Sequence, residues 1–136
     1  MDVDEARAFV RTDPRATFLT YRADGSPQLS LVLAGVGEDG TILVSTRETA
    51  MKALNLRRDP RCSLLAFTEN FYGPQVQIDG RAVVVPLPEA MDGLIDYYRR
   101  LSGEHPDWDD YRSAMARERR VLVRITPERA GPDRSG

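Results

Sequence analysis

Short runs in which apolar and polar residues alternate dominate the chain and predict β-strands. Asp-Gly turns at positions 24–25 and 39–40 separate the first three runs, which predicts a three-stranded meander. Gly80 interrupts a long run, and an internal glycine of this kind indicates a β-bulge or the close approach of another backbone. The predicted strands span residues 16–21, 28–33, 41–46, 62–67, 75–85 and 121–125.

Helical periodicity replaces this alternation in four segments. The first, residues 2–12, opens with Asp2 and Glu5 at the spacing of a capping box. The other helices are predicted over 48–58, 88–101 and 108–117. Six strands with few long crossovers predict a mostly β fold, a closed antiparallel barrel with peripheral helices. Residues 1–136 are expected to form one domain, with an ordered core over about 2–127 and a flexible C-terminal tail over 128–136.

The composition of the chain argues against several classes of function. The net charge of -2 argues against a nucleic-acid partner, because no basic surface would hold a phosphate backbone. No apolar run is long enough to span a bilayer, so no membrane partner is expected. A single cysteine, Cys62, leaves no internal disulfide and no multi-cysteine zinc site, and the expected location is the cytoplasm. No metal site is predicted.

The sequence contains no complete catalytic motif. His105, the one histidine, lies in a loop-like Gly-Glu-His-Pro segment and has no second histidine with which to share a metal. Cys62 opens an apolar strand, where a free cysteine behaves as a small hydrophobic residue. Among the 19 basic residues Lys52 is the only lysine. This lysine therefore draws attention to the segment around it.

Residues 44–60 combine features of an anion site. A predicted strand ends in two hydroxyl residues and a helix follows at once, so free backbone N–H groups and hydroxyls would meet there. Lys52 and Asn55 lie one helical turn apart, and an arginine on either side would add a forked contact. An ordinary solvated helix is an equally good interpretation of the spacing alone. The candidate residues are Ser45, Thr46, Arg47, Lys52, Asn55 and Arg57.

Several pieces of the chain, taken in order, resemble one protein family. They are the strand 16–20, the turn 24–27, the strand 28–32, Ser45-Thr46 followed by Lys52-x-x-Asn55 and residues 56–61, and the run 76–82. In this order they are similar to the pyridoxamine 5'-phosphate oxidase-like split β-barrel proteins, and among these to the actinobacterial branch that uses the deazaflavin coenzyme F420. The resemblance covers residues 5–127. The arginine-rich composition suits a GC-rich actinobacterium.

The resemblance implies an FMN-binding type of split β-barrel, six-stranded, antiparallel and of Greek-key type. It also implies a homodimer with two flavin-type cofactors at the interface. In relatives the cofactor phosphate lies against the strand-to-helix segment, and the ring lies along the second strand and is completed by the partner subunit. The ring residues implied here are Ser30, Leu31 and Val32. Many relatives carry a basic residue where this chain has Ala50, which weakens the phosphate site unless Arg47 or Arg57 substitutes.

The function implied is F420-dependent oxidoreduction, with hydride passing from the reduced cofactor to an unsaturated or conjugated small molecule. Solvent, Tyr72 or a nearby arginine would supply the proton. Arg57, Arg58 and Arg61 are either a basic track for the acidic tail of F420 or a solvated helix end. The alternatives are an FMN-binding flavoprotein of the same family, or a non-catalytic dimer that holds a cofactor or haem. True pyridoxamine 5'-phosphate oxidase activity is not expected, because that enzyme is longer and has a C-terminal substrate-binding segment.

Overall fold

The computed structural model describes residues 1–135, with no side-chain description beyond residue 133. Seven strands and four helices follow one another along the chain. No helix in this range is both long and apolar enough to cross a membrane. The elements are α1 (Val3–Thr12), β1 (Arg15–Tyr21), β2 (Pro27–Leu33), β3 (Gly35–Val36), β4 (Ile42–Arg47), α2 (Met51–Arg58), β5 (Arg61–Phe67), β6 (Pro74–Val85), α3 (Met91–Ser102), α4 (Trp108–Arg117) and β7 (Arg120–Ser135).

All seven strands belong to one antiparallel sheet in the order β2-β1-β5-β6-β7-β4-β3. The mostly β, antiparallel prediction is therefore confirmed, but the predicted number of six strands is wrong. The added strand, β3, is two residues long and too short to leave a periodic signal. The Greek-key type and the homodimer stay predictions.

The two edges of this sheet are joined by a single residue. β2 and β3 lie at opposite ends of the strand order, yet only Ala34 separates them in the chain. A flat seven-stranded sheet would hold its edges about 29 Å apart, whereas one intervening residue spans about 7 Å. The sheet must therefore curl into a barrel. The first hairpin of the predicted meander, β1–β2, is confirmed. Its third strand was placed wrongly, because within residues 1–135 β4 pairs with β7 and β3 and not with β2.

The barrel interior is apolar, and the helices cover its ends and one side. Ala6 and Val10 of α1 and Leu56 of α2 join the inward-facing strand residues in one core. A second core lies outside the barrel, where α3 and α4 pack on β4 and β7. Its buried residues are Leu43, Ala90, Leu94, Ile95, Tyr111 and Leu122.

Three element boundaries differ from prediction by three residues or more. α3 begins at Met91 and not at Pro88. α2 begins at Met51 and not at Glu48, because residues 48–50 form a turn before the helix. The last strand continues through Ser135, although only 121–125 was predicted as strand and 128–136 as tail. Pairing with the long strand β6 extends it, with Ile78 opposite Ala130 and Val76 opposite Asp133. Residue 136 of the predicted tail lies outside the described residues, and the single domain over 1–136 and the flexibility of its tail stay predictions.

Other local predictions are confirmed. Asp2 accepts a hydrogen bond from the Glu5 backbone and the Glu5 side chain accepts one from the Asp2 backbone, which forms the capping box of α1. The β6–β7 register shifts between Asp79 and Gly80. A Cβ added at Gly80 would overlap the Thr126 carbonyl oxygen, so this glycine both marks a bulge and permits a close backbone approach.

Candidate functional site

A gap in the barrel wall is the first element of the site. Within residues 1–135, β2 pairs only with β1, and residues 44–47 of β4 pair only with β7. β3 pairs with β4 through Gly35↔Leu43 and Val36↔Ile42, and β2 does not continue this pairing. Continuing that register would bring residues 31–33 of β2 alongside 45–47 of β4. We call the gap between β2 and residues 45–47 of β4 the split.

Tyr97 of α3 lies at the closed end of the split. Its hydroxyl donates a hydrogen bond to the Leu33 carbonyl oxygen over 2.8 Å. Burial raises the pKa of this hydroxyl, and a hydrogen bond from the Ser45 backbone N–H offsets part of the rise. One side chain of α3 therefore contacts the last residue of β2 and the middle of β4. It links β2 and β4 at the point where the pairing of β3 with β4 has ended.

The predicted ring residues lie on the β2 edge of the split but face different ways. Ser30 and Val32 point inward and are half-buried, whereas Leu31 points outward and is 80% exposed. The Ser30 hydroxyl oxygen is shielded from solvent and has no hydrogen-bond partner among the described residues. A buried hydroxyl without a partner is unfavourable. The β2 edge thus offers open backbone groups and one unpaired hydroxyl.

The strand geometry separates the two predicted hydroxyl ligands. Ser45 and Thr46 are neighbours in β4, so their side chains point to opposite faces of the sheet. Ser45 lies outside the barrel and lines a 350 Å³ cavity with Tyr97 and Arg120. Thr46 is 5% exposed and faces the interior. The two hydroxyls do not converge on one point.

Asn55 is buried, and its side-chain amide is hydrogen-bonded within the protein. It is 1% exposed, and its amide nitrogen donates to Thr20 Oγ1 of β1 over 3.1 Å. Its amide oxygen accepts a hydrogen bond from Arg58 over 3.0 Å. Thr20 in turn donates to Gln28 of β2 over 3.2 Å. This network ties α2 to the first two strands and leaves little of the Asn55 amide for a ligand.

Lys52 has a different environment. It is half-buried on α2, and its ammonium has no hydrogen bond or ion pair with any other described residue. Desolvation by burial, followed by the nearby positive charge of Arg120, lowers the pKa of Lys52. A partly desolvated cation beside another cation favours the approach of an anion.

Lys52 belongs to a larger group that we call the cation cluster: Arg47, Lys52, Arg57, Arg119 and Arg120. The β4–β7 register sets Arg47 directly opposite Arg120. Glu118 accepts hydrogen bonds from Arg120 at 2.9 and 3.0 Å and lies 3.9 Å from Arg47. Arg119 pairs with Glu48 at 3.3 Å. Five cations thus share two carboxylates.

Arg119 and Arg120 were not among the residues predicted from the sequence. Nothing in their local sequence connects them to the segment around Lys52, and each lies more than 60 residues from Lys52 in the chain. The pairing of β4 with β7 brings the two segments together, and the Glu48 N–H donates to the Arg119 carbonyl oxygen just beyond it. Arg120 is the missed residue with the clearest position, because it lies near Lys52 and lines the cavity beside Ser45.

Two of the three arginines predicted as a basic track, Arg58 and Arg61, make hydrogen bonds to other residues of the protein. Arg61 makes two contacts with Asp59, at 3.1 and 2.7 Å, and lies over the Tyr21 ring. Arg58 donates to the Tyr21 carbonyl oxygen as well as to Asn55. Arg57 is exposed and donates to the Glu48 carbonyl oxygen over 3.2 Å. Of the three, Arg57 is the one that joins the cation cluster.

The remaining candidates are not part of the split or the cation cluster. Cys62 is buried and burial raises the pKa of its thiol to about 12, which agrees with its predicted role as a small apolar residue. His105 packs among Tyr98, Trp108 and Tyr111 beside α4. Tyr72 is 73% exposed in the turn between β5 and β6.

These features fit a phosphorylated ligand with a planar polar group. The cation cluster supplies charge in excess of its own carboxylates, with Lys52 available to an anion. The split supplies two unpaired strand edges and the unpartnered Ser30 hydroxyl. A phosphate is held by cations, and the polar rim of a ring is held by backbone N–H and C=O groups.

Comparison with known proteins identifies the family. The sequence model of the family described as pyridoxamine 5'-phosphate oxidase matches residues 3–132. A pyridoxine/pyridoxamine 5'-phosphate oxidase of Nocardioides sp. (strain ATCC BAA-499 / JS614) is 40% identical over 88 residues. That stretch is 63% of this chain but only 39% of the relative's length.

Solved structures agree on the fold. A conserved hypothetical protein of Mycobacterium tuberculosis superposes with a TM-score of 0.77 at 31% identity, covering 96% of this chain and 82% of that one. An F420 reductase superposes with a TM-score of 0.69 at 16% identity, covering 92% and 94% of the two chains, and shows the fold alone. From the match over residues 3–132, the chain belongs to the pyridoxamine 5'-phosphate oxidase family.

Proposed function

We propose that the protein is an oxidoreductase that binds coenzyme F420 in the split, with its phosphate at the cation cluster. The observation that carries the proposal is the half-buried Lys52 without an anionic partner, beside Arg120. A cation in this position is costly in the free protein and favourable once an anion binds. Arg120 also supplies the positive charge that Ala50 leaves absent from the predicted phosphate site.

The charge balance favours F420 over FMN. Arg47 and Arg119 are each 62% exposed in their side chains and extend the cation cluster from Lys52 to the surface. One phosphate group would neutralise only part of this charge. A cofactor that carries further carboxylates would neutralise more of it.

When bound, F420 supplies hydride chemistry, and the chain supplies binding, orientation and exclusion of water. Lys52 and Arg120 would hold the phosphate, while the open edges of β2 and β4 would orient the ring. The Ser30 hydroxyl would meet a polar group of the ring and gain the partner that it lacks. An unsaturated or conjugated small molecule is the proposed hydride acceptor, and solvent, Tyr72 or an arginine would donate the proton.

A homodimer is part of the proposal. Leu29, Leu31 and Leu33 point outward from the edge strand β2 and are 61%, 80% and 49% exposed. Leu65 of β5 adds to this uncovered sheet face. An exposed row of leucines on a sheet edge is unfavourable in a free monomer. A second copy that covers this face would also enclose the ring beside the split.

Titration of the purified protein with F420 and, separately, with FMN tests the proposal. We expect selective F420 binding, weakened about tenfold to hundredfold in Lys52→Met by loss of a charge-assisted contact. Arg112→Met, an exposed arginine of α4, is the matched control and should bind F420 normally. Selective FMN binding would instead favour a flavoprotein of the same family. Binding of neither would contradict both assignments.

A further inference from the structure

Backbone groups of β2 and β4 face each other across the closed end of the split. The Gly37 N–H donates to the Thr41 carbonyl oxygen over 2.8 Å, so these two residues form a hydrogen-bonded antiparallel pair in the register of β3 and β4. Pairs of this type recur at every second residue of a ladder. Leu33 and Ser45 lie four residues further along each strand, so they would form another such pair if β2 continued the ladder.

The pairing of β2 with β1 gives Leu33 the same orientation. The Ala34 N–H donates to the Pro14 carbonyl oxygen, on the β1 side, over 2.8 Å. Consecutive residues of a strand direct their backbone groups to opposite sides, so those of Leu33 point away from β1 and across the split. A continued ladder would therefore join the Ser45 N–H to the Leu33 carbonyl oxygen, and the Leu33 N–H to the Ser45 carbonyl oxygen.

The Tyr97 hydroxyl lies between these two residues. It donates to the Leu33 carbonyl oxygen over 2.8 Å. From the side of β4, the Ser45 N–H donates to the same hydroxyl and lowers the pKa that burial raises. One hydroxyl thus bonds to the acceptor of β2 and to the donor of β4 that would otherwise bond to each other. Because an oxygen atom separates them, the strands lie further apart here than the spacing of about 4.8 Å found in a sheet.

Close packing of α3 on the sheet fixes the position of Tyr97. Gly93 lies one helical turn before it, and a Cβ at Gly93 would overlap the side chain of Leu122. Leu122 is the residue of β7 that pairs with Ser45. Leu94, the next residue of α3, is fully buried in the same core as Leu122. The helix therefore holds the hydroxyl beside β4 from a closely packed support.

The same arrangement leaves the other half of the missing pair open. Within residues 1–135, the Leu33 N–H and the Ser45 carbonyl oxygen have no strand partner across the split. A planar ring that carries an acceptor and a donor on its rim can bond to both groups only while the strands stay apart. Closure of the ladder would use the same two groups and leave no room for a ring between the strands.

We infer that Tyr97 is a positioning residue that holds β2 and β4 apart and so keeps the split open for the cofactor ring. Its action on the strands does not depend on the proposed function, whereas its importance for the ring rests on that function. Without the hydroxyl, the Leu33 carbonyl oxygen and the Ser45 N–H would each lose a partner, which is unfavourable. Direct pairing of the two strands would restore both bonds, so the split should close.

Amide hydrogen exchange measured by NMR tests the inference on the whole chain without cofactor. Tyr97→Phe removes the hydroxyl and keeps the ring beside Gly35. In this variant we expect the Leu33 N–H to exchange about tenfold more slowly, because it gains the Ser45 carbonyl oxygen as an acceptor. The Ser45 N–H has a partner in both proteins and should stay protected. Tyr98→Phe removes the neighbouring hydroxyl of α3 and is the matched control, with exchange as in the original protein.

Titration of the same variants with F420 supplies a second readout. Exchange slowed tenfold means that the split is closed in about nine of ten molecules, so the affinity for F420 should also fall about tenfold. The two fold-changes should agree, because only molecules with an open split exchange this proton and bind the ring. A residue that served packing alone would change stability without this agreement. Tyr98→Phe should bind F420 as the original protein does.

Unchanged exchange of the Leu33 N–H in Tyr97→Phe overturns the inference, and so does slower exchange with an undiminished affinity for F420. Tyr97→Met also lacks the hydroxyl and takes the place of Tyr97→Phe if that variant does not fold. If the original protein binds no F420, the proposed function fails, and exchange at Leu33 still decides whether Tyr97 separates the strands.

Discussion

At the scale of a single residue, the charge of Lys52 destabilises the protein as long as no anionic ligand is bound. Its ammonium is half-buried and near Arg120, and both conditions disfavour the charged form. The pKa of Lys52 is therefore lower in the folded chain than in the unfolded chain. The folded protein carries this electrostatic cost as long as the lysine is protonated.

Replacing Lys52 by methionine should consequently leave the cofactor-free protein as stable as the original or more stable at pH 7. The advantage should shrink as the pH rises from the folded pKa towards the unfolded value of 10.5, because the original protein then loses the unfavourable charge. Urea unfolding of both proteins at pH 7 and pH 10.5 checks this. A free energy of unfolding that falls in the variant at pH 7 would show that Lys52 stabilises the free chain.

Cys62 gives a residue-scale test of the core. The thiol is buried, contacts the Gly80 carbonyl oxygen at 3.7 Å and has a pKa of about 12. At pH 8 we expect a thiol reagent to label the native protein at least about a thousandfold more slowly than the urea-unfolded protein, because reaction requires unfolding. Rapid labelling of the native state would mean that the strand opens locally.

At the scale of the element, α2 is a helix with two different faces. Asn55 attaches the inward face to β1 through Thr20, whereas Lys52 and Arg57 belong to the cation cluster. The same helix therefore packs against the barrel on one face and carries two residues of the proposed ligand site on the other. Its buried amide keeps the charged side of the helix beside the end of β4.

Asn55→Ala should destabilise the protein by about 1–3 kcal/mol, because Thr20 loses a donor and Arg58 loses an acceptor in a buried setting. Chemical denaturation measures the change. Arg57→Met, on the exposed side of the same helix, should change stability by less than about 0.5 kcal/mol. Equal effects of the two substitutions would contradict the structural role given to Asn55.

Element-scale features also show what the sequence could predict. The alternation of apolar and polar residues predicted the longer strands, and the capping box predicted the start of α1, because both signals are local in the sequence. The extension of β7 beyond Ile125 has no such signal, since its glycine, proline and charged residues are held as strand by pairing with β6. For the site, the segment around Lys52 was visible because it is continuous. Arg120 and Tyr97 were not, because only the folded sheet brings them to β4.

At the scale of the whole molecule, one face of the barrel has no helix over it among residues 1–135. α3 and α4 cover β4 and β7, while the outward face of β2, β1 and β5 carries exposed leucines. The split borders this uncovered face, because β2 forms one side of both. A second copy on the leucine face would complete the enclosure of the site.

Leu29→Asp should therefore shift a dimer to monomer, because a carboxylate on this face would be desolvated without a partner. Light scattering after gel filtration measures the mass. Leu54→Asp replaces an exposed leucine of α2 and should leave the dimer intact. If both variants keep the mass of the original protein, the leucine face is not the interface.

The one-residue joint between β2 and β3 has an evolutionary consequence. Ala34 is buried, and its N–H donates to the Pro14 carbonyl oxygen, so the joint is anchored to the start of β1. An insertion at this joint, between β2 and β3, would change the distance between β2 and β4 without altering a side chain assigned to the ligand. Descendants of one ancestral barrel could thus acquire different cofactors through changes of loop length alone.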